Sequence, residues 1–520
     1  MKLFLDKRNS YKWSNSMNIC FHGYFIYENK YYSSESALEF LNNNRELNLL
    51  LKALPQFNGV YSFIVENDDY CFFAVDRLRG LPLLYYLNND ELFVGDDVDG
   101  LMASFENKSV DKTSVKELLS TGTYVSGRYT LIKNVYQVEP SSICVFEKKS
   151  SSITTEHYYK TQHTNFLIDD IVVKESFFKA YSDTGNCMIT ALHNRTAVIP
   201  LSGGADSRMI LKMLSDKGYR NVVCFTYGKK GNRESNISEL IAKKYGYKWI
   251  FVEYSPKMWK SVRKSAESRE YKRFSNKLVS APHFQDFLAV KYLKENKLIP
   301  NDSVFIPGHS GDIPNGNHIA RVYLNETVTK KDCLESMLDF TYLSRPKEVV
   351  KRLLETHPIP EDGTPQDFSD VEEWFDTSER QSKYIVNSVR VYEFFGYEWL
   401  IPLWDNYQLE FWSHIDLHTR YKRRLYYKLV NDQDISTNDI RKRDSFFSRI
   451  RRLPLINNFA RRTNKILNWW KSPLMMEHMF PFFTYLKACL IEKPTFTVSK
   501  MFANEVAKEV TKKYEKKHIK

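Results

Sequence analysis

Ser202-Gly203-Gly204-Ala205-Asp206-Ser207 follows the apolar run Ala197-Val198-Ile199-Pro200-Leu201 and precedes Arg208-Met209-Ile210-Leu211-Lys212-Met213-Leu214. This order reads as a buried strand, a glycine turn and a helix. Two glycines let the main chain approach a ligand without a Cβ in the way, and the helix start directs unpaired N–H groups and a positive dipole end to the same point. A phosphate chain suits such a cradle. Asp206 places a carboxylate inside it, which is favourable when a divalent cation bridges acid and phosphate. The loop lacks the Lys-Ser/Thr ending of a Walker A motif, so it is a different kind of nucleotide loop.

A second strand-to-turn stretch, Val304-Phe305-Ile306-Pro307-Gly308-His309-Ser310-Gly311-Asp312, supplies another glycine and another acid. Two further stretches carry charge beside apolar residues: Tyr397-Glu398-Trp399-Leu400-Ile401-Pro402-Leu403-Trp404-Asp405 and Arg420-Tyr421-Lys422-Arg423-Arg424-Leu425-Tyr426. The first loop resembles the SGGxDS signature of the PP-loop ATP pyrophosphatases, and the four stretches in this order resemble the asparagine synthetases. The resemblance implies an ATP-dependent ligase: a carboxylate attacks the α-phosphate of ATP, and an amine or ammonia then displaces AMP. It implies ATP and Mg²⁺ as cofactors. Leu201, Ser202, Gly203, Gly204, Asp206, Ser207, Phe225, Thr226 and Gly308 would then bind the nucleotide, with Phe225 and Thr226 flanking adenine. Asp206 and Asp312 would hold the metal. Lys422 would be the cation on pyrophosphate, and His309 with Glu398 would form the acceptor site, a carboxylate beside an imidazole that takes a proton from the amine. His309 departs from the pattern, standing where relatives carry an acid or tyrosine.

The elements that must position these residues follow from periodicity. Residues 221–227 and 249–252 read as short buried strands around a helix at 234–245, an alternation that predicts a parallel sheet with ligands at the carboxyl ends of its strands. Residues 1 to about 105 read instead as short strands, at 17–27, 60–66, 70–75 and 92–94, between Gly, Asn and Asp turns. There, Phe57-Asn58-Gly59-Val60-Tyr61-Ser62-Phe63 and residues 75–86 resemble the class II glutamine amidotransferase half of the asparagine synthetases. The expected fold is an α+β Ntn-like antiparallel sandwich followed by an α/β PP-loop parallel-sheet domain and a helical C-terminal extension. The expected boundaries are 1–110 for the degenerate amidotransferase-like domain, 111–165 for a connector, 166–436 for the ATP-binding domain and 437–520 for the extension.

Composition narrows the class further. The 520 residues are 42% hydrophobic and 15% aromatic, which suits folded cores. Seven cysteines without a CxxC pair read as reduced thiols. No apolar run reaches membrane-span length, and the charged first residues do not read as a signal peptide, so the expectation is a cytoplasmic protein. The formal charge of +12 is uneven. Between 441 and 471, basic residues alternate with Phe, Ile, Leu and Trp, which suits peripheral contact with an anionic membrane at its inner face, RNA, or a helical cap with a basic outer face. No specific nucleic acid is expected. The partners expected are a small-molecule or peptide carboxylate and an amine donor. Other readings of the same architecture are amidation or aminoacylation in surface polysaccharide synthesis, a lasso-peptide-type or β-lactam-type cyclisation, and an ammonia-using asparagine synthetase. Outside them stand a tRNA-modifying PP-loop enzyme and a non-catalytic regulator.

Class II glutaminases use a thiol on the first residue of the mature chain, with its own α-amine as base. Here residue two is Lys2, Cys20 reads as buried in a strand, and Phe21-His22-Gly23-Tyr24-Phe25 stands where Asn-Gly-Glu would be expected. The prediction is that the purified protein releases no glutamate from glutamine above background; release that disappears in Cys20→Ala would place the nucleophile at Cys20.

Overall fold

A computed structural model describes residues 1–8, 10–106, 108–431, 466–491 and 497–515. Residues 1–157 build two sheets. The strands are β1 (Lys2–Phe4), β2 (Trp13–Ser16), β3 (Ile19–Tyr27), β4 (Lys30–Ser33), β5 (Asn58–Glu66), β6 (Tyr70–Val75), β7 (Leu84–Asn88), β8 (Glu91–Gly95), β9 (Tyr136–Gln137), β10 (Ser142–Glu147) and β11 (Ser152–His157). One sheet runs β11-β10-β6-β5-β3-β2 with β4 beside β3, all antiparallel. The other runs β1-β8-β7-β9, antiparallel except where β1 meets β8.

The alternation of side chains explains why the larger sheet is buried on both faces. Ile19, Phe21 and Phe25 of β3, with Tyr61, Phe63 and Val65 of β5, pack on helical Ala37, Leu41 and Leu50. Their neighbours Cys20 and Ile64 face the other way, joining Phe73 and Val75 to Tyr85, Leu92 and Val94 of the smaller sheet. The segment expected to be only a connector contributes β9 to β11, because Ile143, Cys144 and Phe146 are buried in these two cores. Cys20 is among these buried thiols, and burial pushes its pKa up to about 11.

The second sheet system is parallel throughout, as the alternation of strands and helices requires. Its strands are β12 (Ala197–Pro200), β13 (Val222–Gly228), β14 (Lys248–Glu253), β15 (Val304–Phe305) and β16 (Glu398–Trp399), in the order β14-β13-β12-β15-β16. Helix α1 (Asp170–Leu192) leads into β12, α2 (Ala205–Asp216) follows it, and α3 (Arg233–Lys244) joins β13 to β14. Chain direction across the sheet reverses between β12 and β15, so the crevice of this fold opens beyond their carboxyl ends. Both glycine-bearing loops leave from those two strands.

Polar contacts join the two sheet systems. Asn58 donates from Nδ2 to Asp405 at 2.6 Å, Thr184 of α1 donates to the same carboxylate at 3.1 Å, and the Tyr11 hydroxyl donates to the Trp399 carbonyl at 2.6 Å. Of the basic stretch 441–471, residues 441–465 lie outside the described residues. Trp469 beyond them is buried, and the Trp259 indole donates to the Leu474 carbonyl at 2.7 Å, seating that part of the extension on the second sheet system. No helix among the described residues is long and apolar enough to cross a membrane.

Asp405 is buried, and it meets the Asn58 amide across the junction. Asn58→Ala should therefore cost about 2 kcal/mol, the value of a hydrogen bond to a charged group, read as a lower urea midpoint. An unchanged midpoint would show that the junction does not rest on this contact.

Candidate functional site

The first loop is tied to itself by hydroxyls. Ser207 Oγ accepts from the Ser202 N–H at 3.2 Å and lies 3.2 Å from Ser202 Oγ, which accepts the Gly204 N–H at 3.2 Å. Gly204 has φ −75°, and Gly203 is not among the glycines with left-handed backbone. A Cβ on Gly203 would meet only the Ile237 side chain, at 3.5 Å. Neither turn geometry nor crowding by backbone demands glycine at 203, so what its lack of a side chain leaves is open main chain at the start of α2. Gly308 is different: a Cβ there would lie 2.9 Å from the Ser207 nitrogen and 3.2 Å from Asp206 Cβ. The second loop rests directly on the first, and this contact brings the two acids together.

Asp206 and Asp312 converge on one guanidinium. Arg423 donates from Nη2 to Asp206, and from Nη1 to Asp312 at 2.6 Å and to the second Asp206 oxygen at 3.3 Å. The Tyr426 hydroxyl adds a bond to Asp206 at 2.9 Å. Burial pushes the Asp206 pKa up, and Arg423 opposes that rise. The arginine arrives through an unusual backbone. Lys422 and Arg423 have φ of 55° and 60°, both left-handed, just before helix α4 (Arg424–Asn431). Lys422 is thereby turned outward: it is exposed, and its ammonium sits 5.0 Å over the Tyr421 ring. The stretch expected to supply Lys422 thus presents Arg423 and Tyr426 to the acids. No signal in the sequence separated Arg423 from its neighbours Lys422 and Arg424, because the left-handed backbone that aims it is not written in residue types of this kind.

The expected pair of His309 and Glu398 is not brought together. Glu398 is in register with Val304 and Val304 with Ala197, which places it at the amino ends of the strands. There it accepts from Arg195 Nη1 at 2.6 Å, while Arg195 Nε and Nη2 cap the Leu192 and Ala191 carbonyls at the end of α1, each at 3.1 Å. Glu398 is a structural counter-ion on the far side of the sheet. His309 does lie beyond β15, beside the acids' loop. Its Nδ1 is 3.2 Å from Ser388 Oγ, whose proton goes to the Ile385 carbonyl at 2.7 Å. Nδ1 is therefore the donor, and Nε2 carries the free lone pair. Burial pushes the His309 pKa down to about 4, so the ring is neutral at pH 7 and a weak base.

Two adenine-flanking expectations also change. Phe225 is fully buried, with its ring 5.9 Å from that of Phe305, so only its main chain reaches the loop, where its carbonyl accepts the Leu201 N–H at 2.8 Å. Thr226 donates to the Leu201 carbonyl at 2.7 Å and accepts from the Trp249 indole at 3.2 Å. Elsewhere His163, Asp370 and Glu373 lie close enough to hold a metal, but Arg420 already binds Glu373 through two bonds of 2.7 and 2.9 Å.

The two mainly antiparallel N-terminal sheets and the parallel sheet with a glycine cradle define a two-part α/β protein. Residues 26–159 match the family model described as a glutamine amidotransferase domain. A 7-cyano-7-deazaguanine synthase of Thermoplasma acidophilum is 35% identical over 94 residues, which is 18% of this chain and 37% of that protein. The structure of the allosteric regulatory enzyme of purine biosynthesis aligns at 11% identity and TM-score 0.19, over 47% of this chain and 62% of the other. Glutamine phosphoribosylpyrophosphate amidotransferase from B. subtilis, complexed with ADP and GMP, aligns at 9% identity and TM-score 0.17, over 57% and 63%. The chain spans less than two thirds of each of these relatives.

Arg423→Gln removes the shared cation from two acids whose side chains are 18% and 42% exposed. The expected loss is about 2 kcal/mol, below that of a fully buried pair because water reaches Asp312. Millimolar magnesium should recover more stability in this variant than in the wild type, measured as the shift in Tm. Equal shifts would show that the acids do not offer a cation site once the guanidinium is gone.

Proposed function

We propose that this protein is an ATP-dependent ligase that activates a carboxylate as its adenylate, releases pyrophosphate, and joins the acyl group to an amine or ammonia. The observation that carries this reading is the convergence of Asp206 and Asp312 beside an open glycine loop at a helix start. The amidotransferase-domain match and the synthase relative support amide-forming chemistry that uses ATP.

The residues fit a divalent cation. Asp206 and Asp312 offer carboxylate oxygens, the ligand type magnesium selects, and a cation already bridges them in the form of Arg423. Asp206 and Asp312 would hold magnesium, which would supply charge neutralisation for the phosphates and for pyrophosphate as it leaves. Arg423 then exchanges carboxylate partners for phosphate oxygens, a task its planar fork performs bidentately. The N–H groups from Gly203 onward would hold the same phosphates, and the Ser202 and Ser207 hydroxyls, now 3.2 Å from each other, would be free to donate to them. His309 acts through Nε2 as the acceptor of an N–H from the incoming amine. With a pKa near 4 it orients the nucleophile more than it deprotonates it.

Asp206→Ala and Asp312→Ala should each abolish carboxylate-dependent pyrophosphate exchange, with candidate carboxylates screened as substrates. His309→Ala should leave exchange near the wild-type rate and slow amide formation by roughly 10²-fold, the lower range for a positioned acid–base group. Glu398→Gln should change neither rate by more than a few-fold, since its contact is with Arg195. Parallel loss of both reactions in His309→Ala would move that residue into nucleotide or carboxylate binding, and full activity in either aspartate variant would remove the cation site.

A further inference from the structure

Three large apolar side chains of the C-terminal extension stand in solvent: Trp470 is 55% exposed, Phe483 80% and Leu490 53%. Phe483 and Leu490 share one face of helix Phe482–Ile491, with the exposed Lys487 between them. The opposite face holds the helix down through the buried Tyr485 and Cys489. Trp470 extends the patch, because its ring lies 5.3 Å from that of Phe482, which in turn lies 5.7 Å from that of Phe483. Trp469, one residue earlier, is turned inward, 4.4 Å from the His478 ring. A contiguous apolar patch left in water marks a surface that something covers.

The charge around the patch narrows what that is. Helix Pro256–Lys264 packs against the turn Met476–Met479, and its Trp259 indole donates to the Leu474 carbonyl at 2.7 Å. This sets the exposed Lys257, Lys260, Arg263 and Lys264 against the segment that carries the patch, alongside the exposed Lys471 and Lys487. Lys260 stands close enough to His478 to add to the effect of burial in holding that imidazole's pKa down. None of the six cations has an ion-pair partner among the described residues. Residues 256–264 and 466–491 contain a single acid, Glu477, and it is buried.

A second copy of this chain would set like charges against one another on such a face. Residues 441–465 carry nine basic residues and one acid, Asp444, so they too would add to the charge and not balance it. An anionic bilayer meets both requirements, with an apolar layer for the aromatic and aliphatic side chains and phosphates above it for the ammonium and guanidinium groups.

We propose that this face seats the protein on an anionic lipid surface, with Trp470, Phe483 and Leu490 entering the headgroup layer and Lys257, Lys260, Lys471 and Lys487 pairing with lipid phosphates. The contact is peripheral, made by side chains and not by a spanning helix. It uses none of the residues of the phosphate cradle and stands or falls separately from the ligase reading.

The test is co-sedimentation of the whole protein with extruded vesicles, one set of equal parts phosphatidylglycerol and phosphatidylcholine and one of phosphatidylcholine alone. The expected result is binding to the first set that is roughly 10-fold or more tighter than to the second and that weakens as NaCl rises from roughly 0.05 to 0.5 M. Phe483→Ser/Leu490→Ser should weaken it by about 10-fold, and Lys257→Gln/Lys260→Gln/Lys487→Gln by a similar factor at low salt. All of these side chains are exposed, so each variant should keep the wild-type Tm. Lack of binding to the anionic set, equal binding to both sets, or wild-type affinity in either variant would each overturn the assignment. A concentration-dependent dimer in sedimentation velocity that Phe483→Ser/Leu490→Ser dissolves would overturn it as well, by giving the face to a second copy.

Discussion

The meeting of Asp206 and Asp312 across one guanidinium is the contact on which the rest of the site depends. Two carboxylates at neighbouring strand ends repel one another, and burial makes the ionised form of Asp206 costlier still. A cation between them turns that liability into a clasp. The close seat of Gly308 on Ser207 brings the two loops within reach of a single side chain, and Arg423 can reach it because two successive residues adopt left-handed backbone. Such conformations cost about 1–3 kcal/mol each and persist where surrounding contacts fix them. Here the Lys422 N–H bonds to the Gly316 carbonyl at 3.0 Å, and the buried Arg420 is pinned by Glu373.

Those pins belong to a wider set of buried charges that ties the N-terminal sheets to the second loop. Lys383 is buried and donates to the Gly127 carbonyl at 2.8 Å as well as to Glu379. Glu379 also accepts the Gly127 N–H at 2.9 Å and is held ionised: burial pushes its pKa up, and Lys383 together with His357 more than reverses this, to about 2. Gln381, on the same π-helical stretch Thr377–Ile385, accepts from Ser310 at 3.3 Å in the loop that carries Asp312. A π-helical turn places these side chains at a spacing that a regular α-helix does not offer. The connector, the helices and the loop that carries Asp312 are thus linked by side chains that cannot be moved singly without stranding a buried charge.

The parts of this arrangement that were legible in the sequence are those written locally. An apolar run followed by Ser, Gly, Gly, Asp and Ser encodes a strand, an open turn and a helix within a dozen residues, and the parallel order of the sheet follows from alternation alone. The buried faces of β3 and β5 likewise follow from period two. The parts that were not legible depend on register between distant segments. Glu398 belongs to a two-residue strand, and only its pairing with Val304 shows that it sits at the amino end, opposite the crevice. Phe225 reads from the sequence as close to the ligand end of a strand, yet it sits mid-strand in β13 with its ring packed edge-on against that of Phe305. The choice of Arg423 over Lys422 turns on a backbone reversal that residue types of this kind do not announce, since left-handed Lys and Arg are uncommon.

That reversal also bears on how a ligand would enter the site proposed here. A guanidinium already paired with both acids lowers the free energy of the empty site, so the affinity measured for a cation and its phosphates is the difference between two paired states and not the full strength of the new contacts. Under the proposed function the same exchange would keep Asp206 and Asp312 paired, because Arg423 would gain phosphate oxygens as the acids gained a metal. A lysine in the same position would be a point charge without a fork, able to satisfy one acid well but not to span two. The geometry therefore favours arginine for a reason separate from net charge: it is the side chain that bridges two carboxylates here and, under the proposed function, would bind a phosphate in two places.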